Sequence, residues 1–313
     1  MDCSVVATRF PGLFFVSTTD FFYPLIESPY AQGRIAACNV LSDIYAMGIV
    51  EIDTVLMLLA TSSDMLAEER DIVTTQMIKG FNDLCKEANT SVTGGQTVSN
   101  PWPIIGGVAS STITEQEMIR PENLQAGDVL VLTKPLGTQV AVNLWQWRRG
   151  TGRHWEKLVN ANILTIEDIG QAYDTAIDSM TRLNRNVARA MHMYQAHGST
   201  DVTGFGILGH ANNLASHSHN KIRIIIDTLP TIKHTYAADK VIGNVFKLGQ
   251  GLSAETSGGI LVALKDIETA EKFIHTVQEL DNRPAWIIGK VVECKENETP
   301  GASIVPEPKI IEV

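Results

Sequence analysis

Four aspartates set among small or apolar neighbours are the side chains best suited to chemistry. They are Asp2 in Met-Asp-Cys-Ser, Asp20 in Ser-Thr-Thr-Asp-Phe-Phe-Tyr-Pro, Asp43 in Asn-Val-Leu-Ser-Asp-Ile-Tyr-Ala-Met-Gly and Asp201 in Ser-Thr-Asp-Val-Thr-Gly-Phe-Gly. None lies in a run of charges. A carboxylate buried alone is costly, so each calls for a partner. A Mg²⁺ ion that also touches a phosphate is one such partner, because magnesium takes a few carboxylates, several waters and phosphate oxygens.

Three glycine-bearing segments could accompany them. Thr93-Gly94-Gly95-Gln96-Thr97 reads first as a tight turn. Its alternative is a backbone that approaches a ligand closely and cradles phosphate with its N–H groups. Asp201-Val202-Thr203-Gly204-Phe205-Gly206 leads into a helix over 207–217, whose N-terminus favours anions. Asp201 reads equally well as a turn or capping aspartate. Glu255-Thr256-Ser257-Gly258-Gly259 precedes an apolar strand and reads as a bulge more readily than as a ligand-facing loop. Arg148, Arg149, Arg153 and His154 read as a solvated basic loop. Trp145 and Trp147 read as packing residues, and His217 and His219 lack a neighbouring acid or cysteine.

The elements that must position these groups follow from periodicity. Apolar, β-prone residues 13–18 end at Thr19-Asp20. A helix is predicted from Gly33 to Met47, with Ile35, Ala36, Val40, Leu41 and Ile44 on one stripe. Strands are predicted at 54–59, 91–93 and 104–113. A helix capped by Ser63 or Asp64 is predicted to run to Ala88. The stretch 121–127 is punctuated by Pro and Gly and reads as a hinge. Beyond it strands are predicted near 128–133, 222–226, 260–264 and 285–292. Helices are predicted after Gly137, over 166–194 and over 267–280. The pattern is that of an α/β chain in two domains of similar size, 1–120 and 121–313.

Composition narrows the function. Of 313 residues 44% are hydrophobic, and 25 basic against 35 acidic side chains leave a charge of −10. An acidic chain lacks the basic footprint of a general nucleic-acid binder. An anionic substrate stays compatible, because a bound metal inverts the local field. Cys3, Cys38, Cys85 and Cys294 show no Cys-x-x-Cys spacing and read as thiols of a reducing compartment. No apolar run reaches the ~18 residues of a membrane span, and no secretory signal opens the chain. The expected location is the cytoplasm.

The motifs together resemble the selenophosphate synthetase (selenide, water dikinase) family. The resemblance lies in residues 18–24, in 33–48 from Gly-Arg-Ile-Ala to Asp-Ile-Tyr-Ala-Met-Gly, and in Thr93–Thr97. It continues in Leu132-Thr133-Lys134-Pro135-Leu136-Gly137, Thr200–His210 and Thr256–Gly259, and reaches the ending Pro308–Val313. Met1-Asp2 and the Asn-Pro-Trp after Gly-Gly-Gln-Thr are similar to the eukaryotic branch. Several motifs are shared with aminoimidazole ribonucleotide synthetases and thiamine-phosphate kinases.

The resemblance implies a two-domain α/β fold of the aminoimidazole ribonucleotide synthetase type. It implies a homodimer whose first domains build a central β-barrel, with ATP and several Mg²⁺ ions between the domains and K⁺ as a further candidate cation. By motif position Asp2, Asp43 and Asp201 would be metal ligands, with Asp20 assisting metal and nucleotide. Gly94, Gly95, Gln96 and Thr97 would line the nucleotide, with Met1 adjoining through its backbone. The implied reaction turns ATP, selenide and water into selenophosphate, AMP and phosphate. Proteins of selenium delivery or selenocysteine synthesis are the candidate partners. The family also carries, before its first aspartate motif, a glycine-rich segment with a catalytic Cys or selenocysteine and a lysine. This chain opens inside the motif, so no catalytic residue is assigned in it and low turnover is expected of it alone. A non-catalytic nucleotide-binding or regulatory relative is the alternative.

Overall fold

The computed structural model describes residues 2–313. The chain forms two compact units: residues up to Ile119 with Thr181–Arg189, and Arg120–Met180 with Ala190–Val313.

Unit one is a five-stranded sheet backed by two helices. Its strands are β1 (Ser4–Ala7), β2 (Phe14–Phe22), β3 (Thr54–Ser62), β4 (Val92–Asn100) and β5 (Ile104–Ile113), in the order β1-β2-β5-β3-β4. Helix α1 (Pro29–Ala46) starts with Ser28 accepting the Ala31 N–H and with proline in its first turn. Both features suit a helix start. Helix α2 (Ala67–Glu87) begins after Leu66 without a side-chain cap. The expected Ser63 or Asp64 cap is not used, because the helix starts later, with Leu66 at the N-cap position. Helix α1 is buried almost all round, with Ile35, Val40, Leu41 and Ile44 inaccessible. Each such side chain contributes roughly 1.5–3 kcal/mol of burial.

The other face of this sheet is different. Strand side chains alternate between faces, so Val16 is buried while Phe15 and Phe21 are exposed. Val6, opposite Phe15 in the β1–β2 register, is exposed, as are Leu56 and Val98.

The Gly-Gly pair forms no turn. Gly94 and Gly95 lie inside β4, which pairs in parallel with β3, Gly94 opposite Leu56 and Gly95 opposite Met57. A Cβ at Gly95, whose φ is +142°, would overlap the Met57 carbonyl oxygen. Glycine is required there by strand approach.

A single helix over 166–194 is also corrected. The structure has α5 (Ile166–Thr181) and α6 (Arg185–Met193), numbered after α3 (Thr138–Trp147) and α4 (Arg153–Ala161). The break exchanges helical bonding for contacts with α1. The Cys38 thiol donates to Arg182 O at 2.9 Å and Asn184 Nδ2 donates to Ser42 Oγ at 3.0 Å. Arg185 then pairs with Glu51 at 2.6 Å.

Unit two holds a six-stranded sheet. Its strands are β6 (Val129–Leu132), β7 (Gly198–Asp201), β8 (Ile222–Thr231), β9 (Ile260–Leu264), β10 (Trp286–Glu293) and β11 (Gly301–Glu312). Their order is β11-β8-β10-β6-β9-β7. Helices α7 (Gly206–His217), α8 (Thr235–Ile242) and α9 (Ile267–Asp281) complete it. All five residues of β9 are buried, and Leu130, Leu132, Val140, Leu144, Ile207 and Leu261 share one core. Edge strand β11 carries Pro306 and Pro308 at the place where its register to β8 shifts, as proline in a sheet requires. The basic segment is not simply a solvated loop. Arg153 opens α4, Arg148 lies 3.4 Å over the Trp145 ring and His154 stacks on Trp147 at 4.9 Å.

Candidate functional site

In unit one the expected site residues gather around the segment Thr18–Asp20 of β2. Thr18 and Asp20 share a face of the strand, being two residues apart. That face meets α1, where the Thr18 hydroxyl donates to Asp43 Oδ2 at 2.5 Å. Asp2 stands two residues before Ser4, which pairs with Ser17. It therefore lies at the end of β2 that carries Asp20. Asp20 pairs with Gly107 of β5 and is half-buried. Burial pushes its carboxyl up to about 6.

Gly94, Gly95, Gln96 and Thr97 stand apart from this group, exposed on edge strand β4. Gln96 Nε2 donates to Thr97 O at 3.2 Å. Met1 lies outside the described residues. Where β2 and β4 end, Tyr23, Pro24, Trp102 and Pro103 line a cavity of about 570 Å³. It offers ring surface and no charged group.

In unit two Asp201 closes β7 and is 2% exposed. Its turn is hydrogen-bonded at successive residues. Val202 N–H donates to Gly259 O at 2.9 Å and Glu255 N–H donates to Thr203 O at 3.0 Å. Thr203 N–H donates to His210 Nε2 at 3.0 Å. Burial holds the His210 imidazole down to about 4, so the neutral ring can accept. Helix α7 starts at Gly206 after Phe205, with no side-chain cap.

Glu255 is the residue whose role the sequence concealed. It is 4% exposed. Its carboxylate accepts Gly137 N–H at 2.7 Å, Thr138 N–H at 2.9 Å and the Thr138 hydroxyl. Gly137, φ +107°, is the N-cap residue of helix α3 and offers no side-chain cap. Glu255 supplies the missing acceptor from a distant loop, at the positive end of the helix. Burial nevertheless raises its carboxyl to about 7, with the Thr138 and Gly137 hydrogen bonds opposing the shift. The motif Thr256–Gly259 is a close-packed joint. A Cβ at Gly258 would overlap the Val202 carbonyl oxygen.

The donor set suits a hard cation. Carboxylate and hydroxyl oxygens match magnesium, and a cation beside Asp20 would return its carboxyl to the ionised form. Among the described residues no three His, Cys, Asp or Glu side chains form a group that could hold a metal by themselves.

The chain matches the AIR synthase related protein N-terminal domain over residues 1–113 and the C-terminal domain of the same family over residues 125–299. A thiamine-monophosphate kinase structure from Stenotrophomonas maltophilia superposes with a TM-score of 0.69, at 18% identity, over 96% of this chain and 87% of that one. A ThiL structure complexed with AMPPCP and TMP superposes with a TM-score of 0.65, at 18% identity, over 98% of this chain and 88% of that one. The fold is therefore the two-domain α/β fold of the AIR synthase class. Within that class, sequence identity decides. A selenide, water dikinase of Trypanosoma brucei brucei is 50% identical over 318 residues, spanning 100% of this chain and 80% of its own length. That of Dictyostelium discoideum is 51% identical over 315 residues, spanning 100% of this chain and 85% of its own. The chain belongs to the selenide, water dikinase family.

Proposed function

We propose that this chain carries the nucleotide- and metal-binding core of an enzyme that uses ATP and water to turn selenide into selenophosphate, releasing AMP and phosphate. The observation that carries the reading is the gathering of Asp43, Thr18, Asp20 and Asp2 about one strand in a chain half identical to selenide, water dikinases. Asp2, Asp43 and Asp201 are the proposed Mg²⁺ ligands, and Asp20 a contact shared by metal and nucleotide. Mg²⁺, when bound, neutralises phosphate charge. Phosphoryl transfer asks mainly for such positioning and neutralisation. Thr18 orients the Asp43 carboxylate. Gly94–Thr97 offer backbone N–H groups and two polar side chains to the nucleotide. The ThiL structure complexed with AMPPCP supports a nucleotide reading for the fold.

The proposed assembly is a homodimer through the uncovered face of the unit-one sheet. Phe21 is 61% exposed there, amid exposed Val6, Phe15, Leu56 and Val98, and large apolar patches of this kind mark interfaces. The proposed location is the cytosol. The cysteines form no disulfide, and no helix among the described residues is long and apolar enough to cross a membrane.

Asp43→Ala tests the nucleotide reading. Titration calorimetry is expected to show ATP·Mg²⁺ affinity reduced about tenfold or more, with an unchanged circular dichroism spectrum. An affinity equal to that of the parent protein would remove Asp43 from the site and with it the reading.

A further inference from the structure

Three loops of unit two meet at one end of its strands: 133–137 after β6, 202–205 after β7 and 251–259 before β9. The β6–β9 and β7–β9 pairings are antiparallel. The ends of β6 and β7 and the start of β9 therefore lie side by side. Asp201 stands opposite Ile260 in that register. We infer that Glu255 is the positioning residue of Asp201, a buried clamp that ties the Asp201 turn to the start of helix α3. The inference rests on the reading of Asp201 as a Mg²⁺ ligand.

The clamp works through both ends of one residue. The Glu255 backbone N–H holds Thr203 O at 3.0 Å, two residues beyond Asp201. Its side chain takes two backbone N–H groups and one hydroxyl at the start of α3. Neighbouring bonds keep the same loop from sliding. Thr256 N–H donates to Thr138 Oγ1 at 3.3 Å, and Lys134 Nζ donates to Ser257 O at 2.8 Å. Ala254 N–H donates to Gln139 Oε1 at 3.2 Å, and Leu208 N–H donates to Gly251 O at 3.0 Å. With Val202 N–H on Gly259 O and Thr203 N–H on His210 Nε2, the two residues after Asp201 are fixed on both sides.

A glutamine at 255 keeps the size of the side chain but has a single acceptor oxygen. At least one N–H at the start of α3 then loses its partner. Removing a group that orients a metal ligand lowers metal affinity by about 10–100-fold.

The experiment is titration calorimetry of ATP binding at increasing Mg²⁺, on the full chain and on Asp201→Asn, Glu255→Gln, Thr138→Val and Thr138→Ser. Glu255→Gln and Thr138→Val are expected to raise the half-saturating Mg²⁺ concentration about tenfold. ATP affinity at saturating Mg²⁺ should stay the same. Thr138→Ser, which keeps the hydroxyl, should stay within about twofold of the parent. The clamp is overturned if Asp201→Asn raises the Mg²⁺ requirement while Glu255→Gln and Thr138→Val leave it unchanged, even with a lowered melting temperature. If Asp201→Asn itself changes nothing, the metal reading of Asp201 fails and the positioning role falls with it. Should Glu255→Gln not fold, the Thr138→Val and Thr138→Ser pair decides the question alone.

Discussion

Asp20 and Asp43 of unit one project half-buried from the middle of a strand and a helix, whereas Asp201 of unit two is the buried last residue of strand β7, where the chain leaves the sheet. The first two owe their positions to register. Thr18 and Asp20 are two residues apart on β2, and α1 brings Asp43 to Thr18. Asp201 also has a register partner, Ile260, but the turn that follows it is held by loops that are distant in sequence and locked by buried polar groups. The contrast is between carboxylates presented from within regular elements and a carboxylate at a strand end whose following turn is held by a buried polar network. A buried network is rigid when every member is satisfied and costly when one is lost. Substitutions near Asp201 should therefore cost more than comparable ones near β2.

The largest expected effects are steric. Gly258→Ala places a methyl on the Val202 carbonyl oxygen inside the buried turn, and Gly95→Ala places one on the Met57 carbonyl oxygen at an exposed strand edge. Overpacking of a closed site costs about 3 kcal/mol, toward the upper end of the usual range. At Gly95 the methyl would also fall within 2.7 Å of the Met57 N and C atoms, and the φ is positive, so a loss of about 3 kcal/mol is expected there as well. Urea unfolding measures both. A loss at Gly95 well below that at Gly258 would show that edge strand β4 yields where the buried turn does not.

Next comes pH, where unit two carries two buried groups of opposite sign. Glu255 has its carboxyl raised from 4.5 to about 7. The folded state holds the proton more tightly, so its contribution is full below pH 4.5 and is lost as pH rises through 7. His210 is lowered from 6.5 to about 4. Its contribution is full above pH 6.5 and is lost as pH falls through 4. Each amounts to on the order of 3 kcal/mol, and between pH 4.5 and 6.5 the two slopes oppose each other. Removing one uncovers the other. Relative to the parent, Glu255→Gln should gain stability steadily as pH rises from 4.5 to 7. His210→Gln should gain as pH falls from 6.5 to 4. Asp20 and Asp128, also raised by burial, cancel in these differences. Parallel pH profiles for parent and variants in urea melts would show that neither group is strained by its burial.

The same contrast explains what was legible in the sequence. Elements with an apolar stripe or run announced themselves: β2, α1, β3, β5, β9 and α9. The aspartates were legible because isolated charges stand out against apolar or small neighbours. Strand β7, Gly-Ser-Thr-Asp, was hidden because its residues are small and polar yet all buried. Strand β4 was hidden because an exposed edge needs no alternation, and its glycines imitate a turn. Strand β11 was masked by its prolines. The break between α5 and α6 was invisible because α1, not a local signal, terminates the helix. Glu255 was least legible, because its partner Thr138 is 117 residues away. No local pattern encodes a cap delivered from that distance.

The smallest expected effect is the sharpest probe of unit one. Thr18→Val keeps the β-branched shape that suits a strand and removes only the donor to Asp43 Oδ2. The site is partly exposed, so stability should fall by about 1 kcal/mol. Asp43 would lose one restraint but keep the position that α1 gives it. The Mg²⁺ needed for half-maximal ATP binding should rise by a few-fold, roughly threefold, below the range for an outer-shell partner that acts alone. Thr138→Val in unit two removes one hydroxyl in the same way and is expected to raise it about tenfold. Both numbers come from the same calorimetric titration. If Thr18→Val matches or exceeds Thr138→Val, unit one also depends on a hydrogen-bonded lock, and helix α1 alone does not place Asp43.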